Sequence, residues 1–223
     1  MRNKIILFLL IIVLTGSQAM AQRQDFRTWY SVELEGELFN LIDFSLTPEI
    51  RLRENSSMLD AVLGEVDISV PVTKFLRLGT EYRHEYEFRS DRNNNNDRFG
   101  IYGELDEKIR RFRIAYRGMY LYEYTNLNTR ELGLVPETLQ RHRVSVKYRK
   151  KKSDFTFGLA AEIFMIMKPE WMRYQDKIRY TAGVQYRLTK KINLGINYKF
   201  QKEYYENNPL TSHIISTGIE FEL

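Results

Sequence analysis

Apolar and polar residues alternate along nearly the whole chain after residue 25, and this period of two constrains the fold more than any other feature. Successive side chains of a β-strand point to opposite faces, so the alternation predicts strands with one apolar and one polar face. In residues 75–89, for example, Tyr82 and Tyr86 share one face while Arg83 and Glu85 share the other. No helical pattern competes after residue 25, so we predict an all-β fold.

The alternation divides the chain into eleven candidate strands, which cover residues 29–38, 45–53, 65–70, 75–89, 98–106, 111–124, 143–149, 155–167, 177–188, 192–204 and 215–223. Short connections alternate with longer polar ones, such as residues 54–60 and 90–97. This layout predicts a transmembrane antiparallel β-barrel of about 10–12 strands, with short periplasmic turns and longer extracellular loops.

A soluble barrel of the lipocalin type is the alternative, because its strands alternate in the same way. Many of the predicted strands, however, reach the ~9–11 residues that a tilted strand needs to cross a bilayer, whereas strands of soluble proteins average about 5–6 residues. Aromatic residues gather towards strand ends, as Tyr120, Tyr122 and Tyr124 do, which is typical of an interfacial girdle. These features favour a barrel whose apolar face meets lipid.

Bacterial barrels normally have an even number of strands, and eleven candidates conflict with that rule. If the last strand ends in the periplasm, the first candidate, residues 29–38, must run inwards from the outside. Either one segment is not a wall strand, or the N-terminal segment passes through the lumen before it joins the wall.

The polar faces, which would line the lumen, carry nearly equal numbers of cations and anions. The predicted charge network comprises Glu49, Arg51, Arg77, Glu81, Arg83, Glu85, Arg111, Arg113, Arg117, Arg143, Glu162, Arg179 and Glu203. Open channels belong to barrels of about 16–18 strands, so long side chains should fill a barrel of this size. We expect a plugged lumen, with a narrow water path as the alternative.

Both ends of the sequence predict export to an outer membrane. Arg2 and Lys4 precede an apolar run over residues 5–14, and an A-x-A site ends at Ala21. This pattern predicts a cleaved signal peptide over residues 1–21 and a single barrel domain over residues 22–223, with a retained N-terminal anchor as the alternative. At the other end, the alternating residues Ile219, Phe221 and Leu223 resemble the signal read by the barrel-assembly machinery, although the usual terminal residue is aromatic.

These features predict the outer membrane of a Gram-negative bacterium, with its lipid and lipopolysaccharide as the surroundings. The barrel-assembly machinery would be a partner during biogenesis. The net charge of +5 includes the two basic residues of the predicted signal peptide, and the remaining excess is too small to indicate nucleic-acid binding. The chain has no cysteine and therefore no disulfide.

Few residues of the sequence suggest a catalytic, metal or cofactor site. The histidines are His84, His142 and His213, and only His84 combines a lipid-facing position with flanking tyrosines, which makes it the candidate catalytic residue. A neutral histidine in an aromatic belt is the alternative. Residues 91–97 could hold calcium or form an exposed loop, and residues 169–174 could rest on the membrane or cap the barrel mouth. No motif for a cofactor or a metal is present.

Four segments carry a resemblance to a known family: Trp29 and residues 48–53, 82–89 and 141–144. With the signal peptide, they are similar to domain-of-unknown-function family 2490, an uncharacterised outer-membrane family common in Bacteroidota-type bacteria. The resemblance extends over essentially the whole mature chain. It implies an outer-membrane barrel and no known active site.

Three functions are therefore open. The leading hypothesis is a plugged, non-enzymatic barrel with a structural or partner-binding role through its outer loops. The second is a lipid-modifying enzyme of the acyl hydrolase type that uses His84, and the third is a narrow channel.

Overall fold

The computed structural model describes residues 23–89, 93–125, 137–167, 173–204 and 209–223. These residues form eleven β-strands: β1 (Arg23–Leu38), β2 (Ile42–Arg53), β3 (Met58–Pro71), β4 (Leu76–Glu87), β5 (Asn94–Ile109), β6 (Phe112–Thr125), β7 (Glu137–Arg149), β8 (Phe155–Met167), β9 (Arg173–Arg187), β10 (Ile192–Glu203) and β11 (Leu210–Glu222). The predicted signal peptide lies outside the described residues. No helix in the described ranges is long and apolar enough to cross a bilayer.

The strands form one closed barrel, in which each strand pairs antiparallel with its neighbours in the chain. The exception is the contact that closes the barrel, where β1 and β11 run parallel from the pair Arg23–Leu210 to the pair Glu35–Glu222. The predicted transmembrane barrel of about 10–12 strands is therefore confirmed with eleven.

This parallel closure resolves the conflict over strand number. The explanation that one segment is not a wall strand was wrong, and the described chain from Arg23 onwards lies in the wall rather than in the lumen. All eleven candidate segments are wall strands, and the described chain enters the wall directly at Arg23. A closed sheet of antiparallel hairpins needs an even count, so an odd count requires one parallel pair between its first and last strands.

Residues 39–41, 72–75, 110–111, 150–154 and 188–191 connect strands at one end of the barrel, called the turn end below. At the other end, called the loop end, residues 54–57 connect β2 to β3, and the described chain breaks off after residues 89, 125, 167 and 204. The predicted long loop at residues 54–60 is instead a tight turn, in which Glu54, Asn55 and Ser56 have positive φ angles.

The alternation also predicted that the fifth strand begins at residue 98, whereas β5 begins at Asn94. Asn94 and Asp97 were expected in a loop, but they lie in β5 and pair with Glu87 and His84 of β4. Pairing with a neighbouring strand here overrides the low β-propensity of asparagine and aspartate. Residues 91–92 of the predicted calcium loop, and residues 169–172 of the predicted cap, lie outside the described residues.

Large apolar side chains cover the outer surface of the barrel, where Ile101 and Leu159 are exposed by 65% and 64%. The interior also holds one apolar cluster, formed by Tyr102, Met119, Leu121, Leu139 and Ile166 on β5 to β8. Charged residues, together with uncharged polar ones, line most of the rest of the described interior. The outward apolar face and inward polar face are the arrangement of a transmembrane barrel.

Candidate functional site

Within the described residues, the lumen contains three cavities in which a ligand could bind. A cavity of about 550 Å³ opens at the loop end, and one of about 760 Å³ opens at the turn end. A third cavity of about 300 Å³ adjoins the turn-end cavity, because Arg143 and Lys147 line both. In the described part of the chain, the loop-end cavity shares no lining residue with the other two.

Between the loop-end and turn-end cavities lies a set of charged and aromatic side chains, called the middle layer below. It consists of Trp29, Glu49, Arg51, Glu81, Arg98, Arg141, Glu162, Arg179 and Lys199. These side chains come from eight strands, so they converge only when the barrel closes.

Glu162 is the most heavily paired anion of the middle layer. Its residue is only 5% exposed, and its carboxylate lies 3.3 Å from Arg141, 3.4 Å from Arg143 and 3.4 Å from Arg179. Arg179 also donates two hydrogen bonds to the Gln201 amide oxygen. A buried carboxylate is tolerated when opposite charges and donors surround it, so these arginines compensate the burial of Glu162.

Trp29 supplies the aromatic part of the middle layer. The Arg51 guanidinium carbon lies 4.3 Å from the centroid of the indole ring, and the Lys199 ammonium lies 4.4 Å from it. Arg179 is 5.3 Å away. Each distance is within the range of cation–π attraction, so the buried indole gathers three cations around its ring.

Other predicted network residues extend these contacts towards the loop end. Arg51 bonds Glu49 at 2.6 Å and approaches Glu85 at 3.3 Å. Arg98 bonds the buried Glu81 at 2.8 Å, and Arg83 pairs with Glu65. Glu203 lines the loop-end cavity and accepts a bond from the Leu210 amide.

The remaining predicted members lie at the turn end. Arg117 bonds Glu104 at 2.7 Å, Arg113 bonds Asp106 at 2.7 Å, and Arg77 bonds Asp43 at 3.0 Å. Arg111 lines the turn-end cavity, and it has no ion pair among the described residues. The predicted charges therefore divide between the two cavities and the layer that separates them.

One acidic cluster was not predicted. The carboxylates of Glu33, Glu35 and Glu220 lie within 4.8 Å of one another and could supply oxygen ligands to a cation. Gln185 and Asn193 each donate a hydrogen bond to Glu220. The cluster forms because parallel closure puts Glu33 beside Glu220, which no sequence pattern indicated.

His84 lies on the outer surface near the loop end, with its side chain 51% exposed. Its Nδ1 is 2.8 Å from Asp97 Oδ1, and the Tyr82 hydroxyl donates to the same oxygen at 2.8 Å. His142 and His213 instead bond the hydroxyls of Tyr116 and Tyr198, at 2.8 and 2.7 Å. Of the three histidines, only His84 has a carboxylate partner in the described structure.

The proposed assembly signal lies along β11, where Ile219 pairs with Val32 and Phe221 with Leu34 of β1. The Leu223 amide donates to the Glu35 carbonyl at 2.9 Å. These contacts belong to the parallel closure of the barrel. Recognition of this strand by the assembly machinery stays a prediction.

A family model described as a protein of unknown function, DUF2490, matches residues 26–211. The solved structure of the NanC porin has a TM-score of 0.55 and 16% identity, and the match covers 89% of this chain and 99% of the porin chain. The β domain of the Bordetella autotransporter BrkA has a TM-score of 0.36 and 11% identity, and covers 75% of this chain and 77% of its own. No functionally curated protein matches the chain. The NanC likeness supports the porin-like barrel fold.

Proposed function

The chain belongs to the DUF2490 family, and we propose that it functions as a closed outer-membrane β-barrel with a structural or partner-binding role. On this proposal the turn end faces the periplasm and the loop end faces outwards, as in bacterial barrels with short periplasmic turns. Outer-membrane lipid and lipopolysaccharide surround the barrel. The chain reaches this location through its signal peptide and the barrel-assembly machinery.

The observation that carries the proposal is the middle layer. Glu162 has three arginine partners, and Trp29 has three cations around its ring. Moving such side chains aside would leave buried charges unpaired, at a cost of about 3–5 kcal/mol for each broken buried pair. That cost favours a lumen that stays closed to diffusing solutes.

Conductance in planar lipid bilayers tests the closed state. We expect the purified barrel to give no stable large openings in symmetric salt. Glu162→Gln should raise the frequency of openings, because it removes the anion that neutralises Arg141, Arg143 and Arg179. Glu107→Gln is the matched control, because Glu107 is exposed and lines none of the lumen cavities. Stable, large openings of the unmodified protein would refute the closed barrel, and small steady currents would favour the narrow channel.

Fractionation tests the location. Most of the protein should sediment with the outer membrane on a density gradient and should migrate differently on a gel before and after heating. N-terminal sequencing of the mature chain should begin at Gln22. Recovery in a soluble fraction, without detergent, would contradict the proposal.

The contact between His84 and Asp97 favours one second candidate, a lipid-modifying enzyme of the acyl hydrolase type. A carboxylate that orients an imidazole is a recurring part of acid–base sites, and here the pair lies on the outer surface, where lipid substrates would be. Phospholipase or lipid A deacylase activity that is lost in His84→Ala and kept in His142→Ala would establish it.

A further inference from the structure

Five cationic side chains line one side of the turn-end cavity: Arg111, Arg113, Lys147, Arg149 and Arg187. We call them the basic wall. Four of them are neighbours, since Arg113 pairs with Lys147 in the β6–β7 register and the Arg149 amide donates to the Arg111 carbonyl at 3.1 Å. The fifth, Arg187, lies at the end of β9, on the far side of β8 from Arg149.

The protein itself neutralises only part of this charge. Arg113 is paired with Asp106 at 2.7 Å, and Arg149 donates to the Ser153 carbonyl at 3.2 Å. For Arg111, Lys147 and Arg187, no carboxylate of the described residues lies within ion-pair distance, and all three are exposed. Lys147 interacts electrostatically with Glu35 at a distance beyond an ion pair. The three cationic groups can therefore contact an anion in the cavity.

Six carboxylates also line the turn-end cavity. Glu35, Glu220 and Glu222 form an acidic side on β1 and β11. Glu104 and Asp106 are paired with Arg117 and Arg113, and Asp154 lies in the β7–β8 turn beside the basic wall. Like charges repel an anion from the acidic side, whereas the basic wall attracts it. The volume of about 760 Å³ is within the range of small-molecule sites, which is about 300–1,000 Å³.

We propose that the basic wall binds a small anion with two or more phosphate or carboxylate groups. Guanidinium groups form paired hydrogen bonds with such oxygens, and several cations on one surface can hold a multivalent anion at once. The proposal goes beyond the closed barrel, because binding at the turn end does not require passage through the middle layer.

Isothermal titration calorimetry with tripolyphosphate tests the proposal on the full-length mature barrel in zwitterionic detergent. The test variant is R111Q/K147Q/R187Q. The control variant K151Q/K152Q/K190Q removes the same formal charge from turns at the same end, and its three lysines do not line the cavity.

We expect the unmodified barrel and the control variant to bind with affinities within about twofold of each other. The test variant should bind at least about tenfold more weakly, since three charge-assisted contacts are lost. Absence of saturable binding to the unmodified protein would overturn the proposal, as would equal affinities of the test and control variants. Heat-modifiable migration verifies folding, and the single variants R111Q, K147Q and R187Q provide the comparison if the triple variant does not fold.

The phosphate oxygens could belong to a free anion or to a lipid headgroup. Repeating the titration in nanodiscs of phosphatidylcholine, with and without phosphatidylglycerol, distinguishes the two. If phosphatidylglycerol does not change the affinity for tripolyphosphate, the ligand class is a soluble anion. A weaker apparent affinity with phosphatidylglycerol, for the unmodified protein but not for the test variant, shows that headgroups reach the same basic wall.

Discussion

The guanidinium of Arg51 lies 4.3 Å from the centroid of the Trp29 ring, directly across the β1–β2 pairing in which these two residues are opposite each other. This contact places a buried indole at the point where the loop-end cavity stops. It also links the first hairpin to Arg179 of β9 and Lys199 of β10, which approach the same ring.

Replacing the indole should destabilise the barrel. Trp29→Ala removes buried aromatic area and three cation contacts, and we expect the free energy of unfolding to fall by about 3–5 kcal/mol. Trp29→Phe keeps an aromatic face, so its free energy of unfolding should fall by less. Urea unfolding in lipid vesicles, followed by gel migration, measures both. Equal losses for the two variants would contradict a cation–π contribution.

Removing the anion at the centre of the middle layer should lower the free energy of unfolding by a similar amount. Glu162→Gln leaves Arg141, Arg143 and Arg179 without their shared carboxylate, and we expect a loss of about 3 kcal/mol or more in unfolding free energy. Adding Arg143→Gln to this variant should recover part of the loss, because it reduces the unpaired positive charge. The same unfolding assay measures the recovery, and strictly additive losses would speak against a coupled network.

The position of Tyr102 depends on a glycine. The Tyr102 ring lies over Gly79 of β4, where a Cβ atom would overlap the ring, and its hydroxyl donates to Asp67 at 2.6 Å. Gly79→Val should therefore displace the ring and destabilise the barrel by about 1–3 kcal/mol. Gly64→Val is the matched control, since a Cβ there meets no neighbouring atom within 4 Å. If Gly64→Val lowers the stability as much as Gly79→Val does, the contact between the Tyr102 ring and Gly79 is not the cause of the destabilisation.

The orientation of the faces towards lipid can be tested with arginine substitutions. Leu159 lies near the middle of β8 and is 64% exposed, whereas Leu188 lies at the turn end and is 53% exposed. Leu159→Arg should reduce stability in a bilayer by about 2–4 kcal/mol, and Leu188→Arg by about 0–1 kcal/mol. If the two substitutions cost the same, the apolar belt of β8 does not face the hydrocarbon of the bilayer.

Much of the fold follows from local sequence, because alternation in a strand is a property of neighbouring residues. The period of two correctly predicted an all-β transmembrane barrel of about 10–12 strands and the apolar outer face, and all eleven candidate segments lie in the wall. It misplaced ends such as Asn94, since strand boundaries depend on pairing with β4. Alternation also assigned Arg51 and Glu162 to one face of their strands, but it could not identify their partners.

Tertiary structure alone decided how the barrel closes and which side chains meet inside it. The parallel contact of β1 with β11 permits an odd strand count and brings Glu33 beside Glu220. The convergence of Trp29, Arg51, Arg179 and Lys199 joins the β1–β2 hairpin to the β9–β10 hairpin, which is far from it in the sequence. The physical reason is that a strand's own residues determine which side chains share a face, whereas curvature and closure of the sheet determine which faces oppose one another across the lumen.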